Sequence, residues 1–351
     1  NLRRQRQMCI RDSRSASIQR SMKVLRRMQP ESGGYLEATP LTSFVVMSLA
    51  ATGRGDHEVS RHGLAFLIAS MDESGSWPID TNLATWLTSL SMHALACDPE
   101  DDGQWCTEKL LQWHLECQHL QRHPFTGAEP GGWGWSDLSG AVPDSDDTPA
   151  AILALTCALR WRPEDRETIA SRTAAGVDWL RRLQNRDGGW PTFCRGWGKL
   201  PFDRSSIDLT AHTLRALKAA AELEAAAEME TAQSSGSETE ANAENDIRFS
   251  KQSTQKATRF LGRNQLDDGS WLPLWFGNQD REDETNPIYG TARVLLAGAE
   301  FIGGEAERQG CDYLISVQNG DGGWGGGPSV HRWLEANSPE SSQRRMTAAR
   351  A

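Results

Sequence analysis

The sequence predicts an all-α fold, an (α/α)6 ring of helix hairpins, on three observations. The first is a repeat. Trp179, Gln184 and Gly188-Gly189-Trp190 share one spacing with Phe260, Gln265 and Gly269-Ser270-Trp271, and with Tyr313, Gln318 and Gly322-Gly323-Trp324. In each, an aromatic residue stands five positions before a Gln, and a Trp stands six after it. The second is an apolar, helix-compatible run after most copies, at 41–51, 83–96, 150–159, 209–221 and 289–299. The third is the number of copies. Phe66-Met71-Gly75-Trp77, Gln29-Gly33-Gly34-Tyr35 and Trp113-Gln118-Gly131-Gly132-Trp133 are degenerate versions that bring the set to six. Six helix pairs without an evident capping repeat suit a closed ring better than an open solenoid.

Each repeat follows one local logic. An amphipathic helix ends near the Gln, an Asp/Asn/Gly turn follows, and a Trp packs the start of the next segment. This assigns Trp77, Trp133, Trp190, Trp271 and Trp324 to packing. The repeats fill residues 21–328. Residues 1–20 are expected to be disordered or artefactual, because 1–13 are basic without an apolar stretch and Met8–Ser13 looks unlike natural coding sequence. Residues 225–253 are rich in Ala, Glu, Ser and Thr and poor in large apolar residues, which predicts a disordered or loosely helical acidic insertion. Residues 329–351 lack helical periodicity and are expected to be a disordered or truncated tail.

Composition narrows the function classes. A net charge of −10 over 351 residues argues against a nucleic-acid partner. Seven cysteines with no CxxC pair fit a reduced, cytoplasmic chain without a disulfide framework or zinc ribbon. No apolar run approaches the length of a membrane span.

The chemistry concentrates at Pro143-Asp144-Ser145-Asp146-Asp147-Thr148-Pro149, just before an apolar run. Pro149 suits the first position of a helix, with Thr148 or Asp147 as its cap. Three carboxylates crowded at a helix start cannot all ionise at their free values, so at least one holds a proton more tightly. A solvated, capped helix start is the plain alternative. Farther along, Asp208 and His212 stand one helical turn apart and share a face.

The Gln-x3-(Asp)-Gly-Gly/Ser-Trp repeat resembles the QW motif of squalene-hopene and oxidosqualene cyclases, and Asp144–Thr148 resembles their DxDD(T) acid motif. The likeness extends from about Glu31 to Gly327. Gly131-Gly132-Trp133 stands eleven residues ahead of the acid motif, Asp208-Leu209-Thr210-Ala211-His212 resembles the family's DxTAH, and Tyr289-Gly290-Thr291 resembles its YGT. The resemblance implies a class II, proton-initiated terpene cyclase, an isomerase that needs no cofactor or metal. It implies Asp146 as proton donor, Asp144 and Asp147 as holders of the negative charge, and His212, with Asp208, as tuner of the acid. It implies a cation-facing aromatic set of Trp135, Phe193, Trp275 and Tyr289. Trp197 joins that set from spacing alone. The implied substrate is a long-chain isoprenoid such as squalene. Peripheral contact with the inner face of the membrane follows from that substrate, and a second barrel, not visible in this chain, would complete the full-length protein.

Departures from the family's pattern bear on the substrate. Ile79-Asp80-Thr81 stands where the family often has Trp before Asp-Thr. The loop Phe193-Cys194-Arg195-Gly196-Trp197 is basic where the family's is acidic, and 278–286 lengthens the turn before Tyr289. Two other classes compete. A protein prenyltransferase β-like subunit shares the ring but needs zinc held by Asp, Cys and His. A non-catalytic ring that binds an isoprenoid or a partner predicts no role for Asp146.

Overall fold

The computed structural model describes residues 2–78, 82–195, 201–235 and 243–325. Among these the helices are α1 (Leu2–Met28), α2 (Thr39–Ala51), α3 (Glu58–Ala69), α4 (Ala84–Ala96), α5 (Glu108–Glu116), α6 (Asp147–Ala158), α7 (Arg166–Leu183), α8 (Ile207–Ser235), α9 (Ala243–Arg263), α10 (Pro287–Leu295), α11 (Ala299–Ile302) and α12 (Gly304–Ser316). The described strands are two-residue pieces, β1 (Trp190–Pro191) and β2 (Ser205–Ser206), paired antiparallel. The all-α class therefore holds, and α2, α4, α6, α8 and α10 fall on the five apolar runs. The chain divides into two compact units, one of Asn1–Leu180 with Phe193–Gly196 and one of Arg181–Thr192 with Trp197–Ala351.

The repeat spacing becomes a hydrogen-bonded staple. In four copies the Gln side-chain amide donates to the carbonyl of the first glycine of its own turn and to a carbonyl on a helix farther along, α3, α7, α9 or α12. Gln29 bonds Gly33 and Val59, both at 3.0 Å. Gln118 bonds Gly131 and Arg172, Gln184 bonds Gly188 and Ser253, and Gln265 bonds Gly269 and Ala306. One NH2 group thus satisfies two acceptors, part-buried in most copies, and ties a helix end to a helix farther along the chain. The glycine is required by backbone geometry: Gly269 has φ +86°, and a Cβ there would lie 2.5 Å from the Gln309 carbonyl oxygen.

The Trp completes each turn. The backbone N–H groups of Trp133, Trp190 and Trp271 donate to the hydroxyls of Thr148, Thr210 and Thr291 on the next helix. The indole N–H groups of Trp77, Trp271 and Trp324 each donate to the carbonyl ten residues earlier. Trp133, Trp190 and Trp271 are fully buried, whereas Trp77 and Trp324 are each 48% exposed, so the packing role assigned to all five is complete in three.

These contacts predict graded stability. Gln265→Ala strands two part-buried carbonyls and should cost about 1–3 kcal/mol. Gln318→Ala, which removes one bond from an exposed turn, should cost clearly less. Urea unfolding of the two variants checks the order.

Two segments outside the expected helix pairs carry helix. Residues 2–28 form α1. Met22, Leu25 and Met28 pack against the buried cluster of Tyr35, Leu49 and Val59, and that burial anchors the C-terminal end of the helix. In the acidic insertion, α8 continues to Ser235 and α9 begins at Ala243. Ala and Glu carry high intrinsic helix propensity, which extends a helix even without apolar side chains to bury. The tail at 329–351 lies outside the described residues.

Candidate active site

The acid segment is built from the turn before it. Trp133 is fully buried; its indole donates to the His114 carbonyl at 3.0 Å, and its carbonyl accepts the Asp144 N–H at 3.1 Å. Thr148 clamps the same residue from the helix side. Its hydroxyl accepts the Trp133 N–H at 2.9 Å and donates to the Trp133 carbonyl at 3.2 Å. The two strands of chain around the acid are thus held in register by one Trp and one Thr.

Helix α6 begins at Asp147, two residues before the expected start, and Pro149 occupies its third position. Pro is tolerated there because first-turn N–H groups have no intrahelical partner. Neither Thr148 nor Asp147 is the cap. The N-cap position is Asp146, whose own side chain makes no capping bond; the acceptor comes from Asp144, whose Oδ1 accepts the N–H of Asp146 at 2.9 Å and of Asp147 at 2.7 Å. A carboxylate there also meets the positive end of the helix dipole.

Asp144 and Asp147 are buried, and Asp146 is half-buried. Burial pushes the Asp144 carboxyl up to about 7, against the pull of its hydrogen-bond donors. Burial also pushes Asp147 well above its ordinary value, and the neighbouring Asp144 charge adds to the rise. The two interact directly and titrate as a pair that retains a proton. The backbone donors favour Asp144 as the anionic member, which leaves the proton on Asp147. Of the two residues expected to carry negative charge, the geometry suits Asp144.

The pair sets the pH dependence of stability. A carboxyl whose pKa is higher folded than unfolded stabilises the fold fully below its unfolded value, near 3.8, and that contribution is lost as pH rises toward about 7. Asp147→Asn should flatten this decline relative to wild type. Urea midpoints across that window measure the difference.

Two of the expected aromatics join the acid in the same unit. Phe193 forms an isolated antiparallel bridge with Asp144. The Trp135 ring meets Phe193 edge-on, with centroids 6.1 Å apart. Trp135 and Phe193 are half-buried, and the Trp135 indole N–H is buried without a partner.

The second unit holds the other expected residues. Asp208 and His212 lie one turn apart on α8, both buried. Burial pushes the Asp208 carboxyl up; the Ser206 hydroxyl donates to its Oδ1, and Arg293 pulls it back down. Ser206 in turn accepts the Leu274 N–H at 3.3 Å. Trp275 donates to the Thr192 hydroxyl at 2.5 Å and stacks, tilted, on Phe202. Tyr289 lies against Phe276 with centroids 5.0 Å apart, and the Arg293 guanidinium sits 5.9 Å from its ring. Trp197 lies outside the described residues.

Ser206 and Arg293 were not singled out from sequence, nor was the bond by which Thr148, Thr210 and Thr291 hold the repeat Trp residues. A signal for the threonines exists: Thr210 and Thr291 each stand twenty residues after their Trp. Ser206 and Arg293 carry no such signal. Among the described residues no group of three or more His, Cys, Asp or Glu side chains is arranged to hold a metal ion. Among them, too, no helix is long and apolar enough to cross a membrane.

Residues 83–348 match the family model described as the squalene-hopene cyclase C-terminal domain. Enfumafungin synthase of Hormonema carpetanum is 28% identical over 338 residues, covering 89% of this chain and 24% of that protein. A probable squalene–hopene cyclase of Sinorhizobium fredii is 27% identical over 313 residues, covering 82% of this chain and 42% of that protein. The chain thus spans from about a quarter to under half the length of these relatives. Among solved structures, ent-copalyl diphosphate synthase from Streptomyces platensis superposes with a TM-score of 0.50 at 24% identity, covering 76% of this chain and 40% of that one. This likeness bears on the fold alone, and the class is the all-α one of the α/α-barrel kind expected from the repeats.

Proposed function

Because the chain belongs to the squalene-hopene cyclase C-terminal domain family, we propose that it carries the acid of a class II terpene cyclase. The reaction is an isomerisation. Asp146 transfers its proton to a terminal C=C of a long linear isoprenoid such as squalene, the cation runs through successive ring closures, and loss of a proton from the final cation ends the cascade. The observation that supports this reading most is the carboxyl cluster at the start of α6. Asp144 is fixed by two backbone N–H groups and paired with Asp147, and Asp146 remains beside them at the half-buried edge. The α6 N-terminus stabilises the carboxylate that proton transfer leaves behind, which strengthens the acid.

Trp135 and Phe193 suit the role of cation-facing rings, because an aromatic face stabilises a cation in a dry site by roughly 0.5–2 kcal/mol. Parts for Asp208, His212, Trp275, Tyr289 and Trp197 are proposed on the family resemblance. The full-length protein is proposed to contain a second barrel. It is also proposed to be cytoplasmic and peripheral on the inner face of the membrane, since its substrate class resides in lipid.

The test is product formation. The full-length gene product, incubated with squalene and with shorter linear polyprenes, should give cyclic isomers detectable by gas chromatography and mass spectrometry. Phe193→Ala should shift products toward prematurely ended, less cyclised species. A folded protein that cyclises none of these substrates would favour the binding-only alternative.

A further inference from the structure

Glu37 is a buried carboxyl outside the acid segment. It follows Leu36, and both hold left-handed backbone with φ 54°. Side chains larger than Gly adopt that region at a cost, and two in succession persist only where the surroundings over-determine them. Here the strained turn carries the Glu37 side chain fully inside the first unit. Its Oε1 accepts the Ser32 hydroxyl at 2.7 Å and the Gly140 N–H at 2.6 Å, while Oε2 is buried without a partner. A buried carboxyl with an unmatched oxygen is a poor way to gain stability.

What the carboxyl holds is informative. Gly140 lies 103 residues later in the chain, in the loop that joins Trp135 to Asp144. A Cβ on Gly140 would collide with the Glu37 carboxyl and lie 2.9 Å from the Gly34 carbonyl oxygen, so the loop backbone is seated directly on Glu37. The loop is braced elsewhere by its own bonds: Leu138 N–H to the Ser136 hydroxyl, and Ala141 N–H to the Leu138 carbonyl. Ala141 and Val142 are fully buried, so a shift at Gly140 passes to Asp144 along packed chain.

We infer that Glu37 is a positioning residue: by pinning Gly140 it sets the loop that places Trp135 at one end and Asp144 at the other. This rests on the cyclase reading, in which small displacements of the acid or of a cation-facing ring cost rate. Glu37 acts through the loop and has no proton-transfer role.

The test compares wild type, Glu37→Ala and Glu37→Gln by hydrogen–deuterium exchange and by kinetics with squalene. Gln keeps an oxygen for the Gly140 N–H; Ala removes it. In Glu37→Ala, amides of 136–147 should exchange about tenfold faster, and kcat should fall about tenfold with KM little changed. Peptides from 257–271 should exchange as in wild type, and Glu37→Gln should restore most of both effects. If Glu37→Ala does not fold, Gly140→Ala perturbs the same seat from the loop side and should loosen the same peptides. Unchanged loop exchange, or a purely thermal loss of stability with kcat intact, would overturn the inference. A wild type inert toward squalene and shorter polyprenes, with the loop still loosened in Glu37→Ala, would instead sink the cyclase reading and leave only the anchor.

Discussion

Asp146→Asn should abolish cyclic product while leaving the fold intact. The substitution keeps size and hydrogen-bonding shape but removes the transferable proton. General-acid contributions are typically about 10²–10⁴-fold, and a step that begins by protonating an unactivated alkene has no other way to start. Stability should change little, because Asp146 is the half-buried member of the cluster and its N–H bond to Asp144 is a backbone contact that Asn retains. Asp144→Asn should be different. It replaces the acceptor of two N–H groups at the start of α6 and one partner of the buried carboxyl pair. It should lose both activity and stability. Product yield and urea midpoint, measured together on the two variants, separate donor from scaffold. Equal losses of stability in both would contradict the division of roles.

The largest stability effect is expected at Trp271. The side chain is fully buried, its indole donates to the Leu261 carbonyl at 2.9 Å, and its backbone N–H is held by Thr291 at 3.0 Å. Gly310 approaches the ring so closely that an added Cβ would lie 2.9 Å from it. Trp271→Ala therefore opens a large cavity against a backbone that cannot collapse into it, and strands a carbonyl. The expected cost is about 3–5 kcal/mol, enough to unfold a marginal unit of this size. Trp324→Ala is the contrast. It removes the same bond to the carbonyl ten residues earlier, but from a ring 48% exposed, and should cost about 1 kcal/mol. Denaturant unfolding of both tests whether the repeat Trp acts through burial or merely through its hydrogen bond.

The same contrast shows what was legible in the chain. The spacing of Gln184, Gln265 and Gln318 to their Trp residues revealed the helix-turn unit, because the turn closes within a few residues. The carbonyls that each Gln reaches next, at Val59, Arg172, Ser253 and Ala306, lie 30 to 69 residues away and leave no mark on local spacing. The crowding of Asp144, Asp146 and Asp147 was plain. Which of them accepts the first N–H groups of α6 was not, because Asp144 lies before the cap position at Asp146 and reaches in, whereas sequence rules place the acceptor beside Pro149. Asp208 and His212 were readable from one-turn spacing, but the Ser206 hydroxyl on Asp208 depends on the local path of β2 into α8. Glu37 carries no signal in the sequence, because a lone Glu after Gly-Gly-Tyr-Leu belongs to no motif. Only the left-handed pair at Leu36 and Glu37 turns it inward.

If the Asp144–Asp147 cluster delivers a solvent-derived proton to carbon, the reaction with squalene in D2O should give cyclic product carrying one carbon-bound deuterium, formed by wild type and absent with Asp146→Asn. Cyclic product without carbon-bound deuterium, or labelled product formed equally well by Asp146→Asn, would contradict it.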